Sequence, residues 1–380
     1  MSKLNKALLT TWIILLATFV YVFSIWGMEE QEEEELFVVE EQITPVVNES
    51  NEEPVEEVEE EKQIDAMSLA MIGDILLHMR LAVYEDFTSS FEPVAQSLQS
   101  FDYLIANQES LPVGNKFKLS GYPQFASPDY IVPALQNVGV DMINLANNHV
   151  VDKGEDGVTT LFENIDRFNI PYVGAYKNSA DAETMRIVEK GDLKVGFLSY
   201  TYGTNGLYLK KDSPYVINYI DEQKIQNDIA LLKPQVDVTV VLMHWGPEYV
   251  TKAAENEVRL ANMLNNAGAD IVFGSHPHVL QQYDELLNES GQKTHVFYSI
   301  GNFFATTMSS SDSFIGGIAS VQITKEDGVV TITEPALEAT AMLLDSDGIY
   351  RVYPLRDVEN RAARNMEWVK AVLGERANVY

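Results

Sequence analysis

The stretch that decides the fold is residues 270–279, which read Asp-Ile-Val-Phe-Gly-Ser-His-Pro-His-Val. Its three apolar residues predict a short buried strand, and Gly274 allows the backbone to turn at the end of that strand. His276 and His278 then flank Pro277, which disfavours helical backbone at the position before it. In an extended chain, side chains two residues apart point to the same side, at the strand end where open α/β sheets bind ligands. The pair therefore indicates a metal site, with two surface histidines on a loop as the alternative.

Length and composition describe a strongly acidic chain with enough apolar residues for a globular protein. With 380 residues and 46% apolar content, it can bury one large core or two smaller ones. The formal net charge is -31 and the sequence has no basic patch, so no nucleic-acid partner is expected. The absence of cysteine excludes disulfides and zinc-thiolate sites, and it fits an extracytoplasmic protein.

Residues 1–27 predict a signal anchor, that is, one uncleaved transmembrane helix. Lys3 and Lys6 precede an uncharged apolar stretch that is long enough to cross a bilayer. The two lysines favour a cytoplasmic N-terminus, so the chain is expected to be a single-pass protein of the cell membrane with its domain outside. A cleaved signal peptide is the alternative, but no small-x-small cleavage site follows Gly27.

Residues 28–65 form an acidic segment of low complexity, for which runs of glutamate predict a disordered linker. The simplest role for this linker is a tether that holds a domain away from the membrane, and a cation-binding or partner-binding tail is the alternative. The folded domain is expected at residues 66–340, and residues 341–380 are expected to form an extension that packs on it.

Strand and helix signals alternate along the domain. Strands are predicted at residues 68–72, 102–105, 142–145, 194–199, 238–243, 271–273 and 295–299, and a late hairpin at 316–324 and 329–333. Helices are predicted at residues 133–138, 157–168, 221–232, 255–267 and 357–373. This alternation predicts an α/β domain with a largely buried sheet.

Polar side chains follow the predicted strands at equivalent points. They are Asp74, Glu109, Asn148, His149, His244, His276 and His278. Because the carboxyl ends of parallel strands lie along one edge of a sheet, these side chains are expected to converge. Carboxylate, amide and imidazole ligands together suit Mn, Zn or Fe better than Ca. The set is large enough for two divalent ions bridged by a carboxylate, an arrangement that polarises phosphoryl or acyl oxygens.

Six short motifs occur in a specific order. They are Gly73-Asp74, Asn107-Gln-Glu109, Asn144 to Gly154, His244-Trp-Gly-Pro-Glu-Tyr249, Gly274-Ser-His-Pro-His-Val279 and Tyr298-Ser-Ile-Gly-Asn302. Together they resemble the CapA family of poly-γ-glutamate capsule biosynthesis proteins over about residues 67–305, and that family is similar to the calcineurin-like metallophosphoesterases. The resemblance implies a four-layer α/β/β/α sandwich with a dinuclear metal site.

The resemblance also implies a role for each motif residue. The implied metal ligands are Asp74, Glu109, Asn148, His244, His276 and His278. Glu109 would be the carboxylate that bridges two ions. His149 would be the general acid, and Asp152 would orient its imidazole.

Two positions depart from the phosphoesterase pattern. Leu76 replaces the histidine that usually follows the first aspartate by two residues, so the next histidine, His78, is expected to reach the metal or to contact substrate. Glu109 stands where phosphoesterases generally have aspartate. Glu248 and Asn302 lie near the same strand ends and are expected to contact substrate or to support the ligands. The changes at Leu76 and Glu109 leave open whether the protein has phosphoesterase activity.

The function that the resemblance implies is that of a membrane-anchored, extracytoplasmic metal-binding protein in poly-γ-glutamate synthesis, export or anchoring. Its partners would be the polymer, or a related anionic polymer, and membrane-bound synthase subunits. It would act as a metal-dependent hydrolase, or as a non-catalytic subunit that binds polymer or stabilises the synthase. A general secreted metallophosphoesterase is the third hypothesis. Residues 200–206 form a Tyr/Gly/Thr-rich loop suited to a substrate lip.

Overall fold

The computed structural model describes residues 64–306 and 308–380. The signal anchor expected at residues 1–27, and the linker up to residue 63, lie outside this part of the chain. Within the described residues, no helix is both long enough and apolar enough to cross a membrane.

In the part of the chain that the structure describes, the strands form two large sheets and one small one. They are β1 (Ile64–Leu76), β2 (Tyr103–Gln108), β3 (Met142–Asn144), β4 (Tyr172–Val173), β5 (Ala175–Tyr176), β6 (Arg186–Lys190), β7 (Leu193–Thr201), β8 (Val216–Ile217), β9 (Val238–His244), β10 (Ile271–Ser275), β11 (Tyr283–Leu287), β12 (Lys293–Phe297), β13 (Asn302–Ala305), β14 (Ile315–Glu326), β15 (Val329–Leu344), β16 (Tyr350–Pro354) and β17 (Asn378–Val379). The nine-stranded sheet has the order β16-β15-β14-β1-β2-β3-β4, with β13 beside β1 and β17 beside β15. The six-stranded sheet has the order β11-β12-β10-β9-β7-β6, and β5 pairs with β8.

The helices lie between the strands in sequence. They are α1 (Met79–Ala82), α2 (Thr88–Phe91), α3 (Ala95–Leu98), α4 (Ile131–Asn137), α5 (Gly154–Phe168), α6 (Ser179–Glu183), α7 (Glu222–Leu232), α8 (Glu255–Ala267), α9 (Leu355–Val358) and α10 (Met366–Leu373). Short 3-10 turns occur at Glu92–Val94, Lys233–Gln235 and Ser311–Phe314.

The two large sheets pack face to face. On β1, Leu69 lies in the core between the sheets, and its neighbour Ala70 lies in a second core on the opposite face. This alternation is the period of two that a strand buried on both faces requires. Across the interface, the ring of Tyr103 from β2 stacks on Phe197 of β7, with ring centroids 5.5 Å apart.

Helices cover the outer face of each sheet. Leu135 of α4 and Leu161 of α5 belong to the core on the outer side of β1. On the other sheet, Ile229 of α7 and Leu264 of α8 share a core with Val241 of β9. The layers therefore run helix, sheet, sheet, helix, and the predicted α/β sandwich is confirmed.

Most predicted elements are present with shifted ends, and one is wrong. The helix expected at residues 255–267 matches α8, and Gly268 caps its C-terminal end in a left-handed conformation with φ of +101°. The single helix expected at residues 357–373 is instead two short helices, α9 and α10. The break has a local cause: the side chain of Asn365 accepts a hydrogen bond from the Trp368 N–H at 3.0 Å, which starts a new helix there.

Both ends of the domain continue the large sheet. β1 begins at Ile64, two residues before the expected start of the domain at residue 66. The expected boundary at residue 340 falls inside β15, which continues to Leu344 and pairs with β16.

The carboxyl ends of the central strands bring polar residues into register. β1 runs parallel to β2 and to β13, which aligns Asp74 with Asn107 on one side and with Asn302 on the other. β9 runs parallel to β10, which aligns His244 with Ser275. These strand ends therefore present their side chains at one edge of the sandwich.

The backbone at Gly274 approaches the backbone of Tyr298 too closely for any residue type with a side chain. We therefore predict that Gly274→Ala destabilises the fold. A Cβ at this position would lie 1.8 Å from the carbonyl oxygen of Tyr298. Because that oxygen is backbone, relief requires movement of a strand, and the free energy of unfolding should fall by about 3 kcal/mol. Urea unfolding of the full chain measures the change. The control is Gly203→Ala, whose new Cβ meets no atom within 4 Å; an equal loss in both variants would contradict the prediction.

Candidate metal centre

The ends of β2, β9 and β10 place a carboxylate and three imidazoles in one buried cluster. Ligand atoms of Glu109, His276 and His278 all lie within 4.8 Å of one another. His244 Nε2 is 3.7 Å from Glu109 Oε1, and it also lies 2.9 Å from Oδ1 of Asn148. All of these side chains are buried. The structure therefore brings the predicted imidazole, amide and bridging-carboxylate residues together.

Several ligand atoms in this cluster have no hydrogen-bond partner within the described residues. These atoms are both carboxylate oxygens of Glu109 and Nδ1 of His276. Burial raises the pKa of Glu109 well above its ordinary value, the His278 charge opposes this rise, and Asp74 adds to it. Buried polar atoms without partners are costly, and a divalent cation would satisfy all three. The residues present therefore fit a metal ion.

The backbone of the His-Pro-His segment is not extended, so that part of the prediction is wrong. His276 has φ of +95° and His278 has φ of +61°, conformations that cost a non-glycine residue about 1–2 kcal/mol each. The Tyr249 N–H donates to the carbonyl of Pro277 at 2.8 Å, which helps to hold the turn. The imidazoles still converge, with ring centroids 5.8 Å apart, but two left-handed residues bring them together.

Carboxylates orient two of the imidazoles. Nδ1–H of His149 donates to Oδ2 of Asp152 at 2.8 Å, the contact expected from the sequence. Nδ1–H of His278 donates to Oδ2 of Asp74 at 3.0 Å. Burial alone would lower the pKa of His278, but the charges of Glu109 and Asp74 outweigh it and raise the pKa to about 9. In both pairs Nδ1 contacts the carboxylate, so Nε2 is the ring nitrogen that can bind a metal or transfer a proton.

Asn302 and Glu248 differ in their relation to the cluster. Oδ1 of Asn302 lies 2.9 Å from Nδ1 of His278, so this buried amide contacts a predicted ligand directly. Glu248 is exposed, and its charge acts at longer range by contributing to the raised pKa of His278.

His78 is buried beside the cluster and is not part of it. Its Nδ1–H donates to the Leu76 carbonyl at 3.2 Å, and its ring packs edge-on against Phe125, which also contacts His149. Burial lowers the pKa of His78 to about 4, and the nearby charges of His278 and His149 contribute to the fall. His78 is therefore a neutral side chain at physiological pH.

Sequence reasoning missed the residues that support the ligands from neighbouring elements. Asn107 donates from Nδ2 to Oδ1 of Asp74 at 2.7 Å, and only its place in the Asn-Gln-Glu motif pointed to it. Tyr202, on the loop expected to be a substrate lip, lies with its ring centroid 4.6 Å from that of His276 and is 48% exposed. Its N–H donates to the His244 carbonyl, which holds the loop over the site.

The sequence motifs that supply these residues belong to a described protein family. A family model described as Bacterial capsule synthesis protein PGA_cap matches residues 68–307. The chain belongs to this family. The matched range contains Asp74, Glu109 and both histidines of the His-Pro-His segment, and the resemblance to CapA proteins is confirmed.

Two relatives named for capsule or PGA biosynthesis are similar over most of the domain. The chain is 30% identical over 262 residues to a capsule biosynthesis protein CapA of Bacillus anthracis, covering 66% of this chain and 61% of the relative. It is 29% identical over 250 residues to a PGA biosynthesis protein CapA of Bacillus subtilis, covering 63% of each. The chain thus spans about three fifths of the length of the curated relatives it matches.

One similar solved structure is an NAD nucleotidase of Haemophilus influenzae, with a TM-score of 0.47 and 14% identity over 76% of this chain and 60% of that one. This protein is too distant to indicate an activity.

The buried, neutral state of His78 generates a prediction about pH and stability. Its pKa is about 4 in the folded protein and about 6.5 when unfolded, so the unfolded state binds the proton first as pH falls. Stability is therefore lost as pH falls from 6.5 toward 4, by about 2 kcal/mol at pH 5 from this residue. His78→Gln removes this contribution. The free energy of unfolding of the variant should therefore drop less between pH 7 and pH 5 than that of the wild type. Urea unfolding with EDTA present measures both drops, and equal drops would contradict the prediction.

Proposed function

We propose that this chain is a membrane-anchored, extracytoplasmic protein that binds divalent metal and acts in poly-γ-glutamate synthesis, export or anchoring. The observation that carries the proposal is the family match over residues 68–307, because that range includes the strand ends with the buried Glu109, His276 and His278 cluster. The names of the two Bacillus relatives support the capsule role. The signal anchor at residues 1–27 and membrane-bound synthase partners are part of this proposal.

The donor set supports an ion of the Mn, Zn or Fe class. Glu109 offers carboxylate oxygens, His276 offers an unpartnered Nδ1, and His244 with Asn148 adds nitrogen and amide oxygen at 2.9 Å separation. A bound divalent ion would polarise a phosphoryl or acyl oxygen and stabilise negative charge on it. The half-exposed ring of Tyr202 would then border the bound group.

Hydrolysis would use His149 as the proton donor. The hydrogen bond from Nδ1–H to Asp152 fixes the ring orientation, which leaves Nε2 to face the reacting group. The Nε2–H of that imidazole would deliver a proton to the leaving group. The edge-on contact with Phe125 limits rotation of the ring, so the donor is held in place before substrate arrives.

Binding of an acidic polymer requires compensation of charge. The chain has a formal net charge of -31, and poly-γ-glutamate is also anionic, so the two repel at long range. A divalent ion held in the cluster would reverse this repulsion locally and would supply a positive charge for a polymer carboxylate. Polymer binding should therefore depend on metal even if the protein has no hydrolase activity.

We predict that removal of metal weakens polymer binding. Full-length protein in detergent is titrated with poly-γ-glutamate in Mn²⁺, with and without EDTA, and binding is followed by calorimetry. EDTA should weaken binding by about tenfold or more, a change of about 1.4 kcal/mol, because it removes the cation that would bridge two anionic partners. Glu109→Gln should have the same effect, and the exposed Glu289→Gln is the charge-matched control. Binding that is indifferent to EDTA would contradict the metal bridge.

We predict that His149→Gln lowers any hydrolase activity through the rate of the chemical step. Activity toward phosphoesters and toward γ-glutamyl polymer is assayed with Mn²⁺, Zn²⁺ or Fe²⁺ supplied. The substitution should lower kcat about 10²–10⁴-fold, because it removes the general acid, and should leave metal content unchanged. Unchanged kcat in the variant would exclude this role of His149. Absence of all activity in the metal-loaded wild type would favour the non-catalytic subunit that binds polymer or stabilises the synthase.

A further inference from the structure

The loop that follows β9 holds an exposed carboxylate at the border of the buried cluster. This loop leaves the cluster at His244, and Glu248 is exposed. The next residue, Tyr249, has φ of +63°, and its N–H donates to the Pro277 carbonyl at 2.8 Å. Its ring centroid lies 6.1 Å from that of His278. The loop is therefore anchored to the turn that carries the imidazoles, and Glu248 stands beside their entrance.

The charge of Glu248 is not neutralised by a basic side chain. Among the residues that the structure describes, no lysine or arginine forms an ion pair with it. Burial raises the pKa of Tyr202 to about 12, and the charges of Glu109 and Glu248 add to the rise. Burial also raises the pKa of Tyr249, and Glu248 again adds to it. The negative charge of Glu248 therefore reaches the tyrosines on both sides of the centre.

The border of the centre is aromatic and acidic, with no basic group in contact. Tyr202 lies beside His276, with ring centroids 4.6 Å apart, and the half-buried Tyr249 lies beside His278. The ion pairs that the structure gives to the cluster carboxylates are all with histidine. Arginine and lysine are the usual partners of carboxylate and phosphate groups, whereas tyrosine rings and a free carboxylate attract organic ammonium groups. The border thus suits a cationic part of a ligand.

Poly-γ-glutamate has such a cationic group only at one end. In a γ-linked chain every internal residue keeps a free α-carboxylate, but its nitrogen is part of an amide. The amino-terminal residue alone has an ammonium and a carboxylate on the same carbon. Internal residues would bring only negative charge to Glu248 and would be repelled. A metal ion beside an exposed carboxylate therefore complements the amino-terminal residue better than any other residue of the polymer.

We propose that Glu248, together with the rings of Tyr202 and Tyr249, binds the α-ammonium of the polymer's amino-terminal residue, while the α-carboxylate of that residue faces the metal centre. This inference rests on the proposed function and names the part of the polymer that is bound. The protein then binds poly-γ-glutamate by its amino end and not along its length.

Short glutamate chains with free and blocked amino ends test the proposal. Full-length protein in detergent is loaded with Mn²⁺ and titrated by calorimetry with a γ-linked glutamate trimer, with its N-acetyl derivative, and with the α-linked trimer. The α-linked trimer has the same net charge, but its amino-terminal α-carboxyl is part of an amide. The titrations are made at high salt, which screens long-range repulsion. The free γ-linked trimer should bind about tenfold more tightly than either comparison ligand.

The Glu248→Gln variant separates this site from general charge effects. The ratio of affinities between the free and the acetylated γ-linked trimer should fall to about twofold, and metal content should stay unchanged. Tyr202→Leu should also lower the ratio, whereas the exposed control Glu289→Gln should keep it.

The outcomes distinguish the ammonium site from the proposed function. Equal affinity of the wild type for the free γ-linked trimer and either comparison ligand, or an unchanged ratio in Glu248→Gln, would overturn the site and leave metal-dependent polymer binding intact. Binding of long poly-γ-glutamate without binding of any trimer would also overturn it. Failure of the metal-loaded protein to bind the long polymer would overturn the proposed function itself.

Discussion

The enclosed carboxylate of Glu109 is the constraint on which the rest of the centre depends. A buried carboxylate without hydrogen-bond donors raises the free energy of the fold unless a positive charge compensates for it. The nearest groups are imidazoles, of which His278 has a pKa raised to about 9 because the charges of Glu109 and Asp74 outweigh its burial. A proton on this ring or a divalent ion beside it meets the same need. The cluster is therefore built around a positive charge, whichever species supplies it.

The backbone is strained in the turn that holds the imidazoles beside Glu109. His276 and His278 both have positive φ, and Gly274 lets two backbones approach closely just before them. The cost is offset by hydrogen bonds from neighbouring segments, such as the Tyr249 N–H to the Pro277 carbonyl. The strained turn thus places the imidazoles beside the buried carboxylate of Glu109.

The sequence predicts those features that depend on local patterns. The helix at residues 255–267 follows from its apolar period and the glycine after it, and convergence at one edge follows from polar residues at parallel strand ends. The hydrogen bond from Asn107 to Asp74 was not predictable, because it depends on the register of two strands. The position of Tyr202 over His276 depends on a loop crossing from another strand. Neither register nor loop path is encoded in a short motif.

Two aspartate–histidine pairs show how the same contact serves different purposes. His149 and Asp152 are three residues apart on one turn, so this pair forms wherever that turn forms. His278 and Asp74 are 204 residues apart; Asp74 lies on β1 and His278 follows β10, which belongs to the other sheet, so their contact exists only when the sandwich is assembled. An ion held through Nε2 of His278 would consequently bind the assembled fold and not the unfolded chain, and it would stabilise the sandwich by mass action.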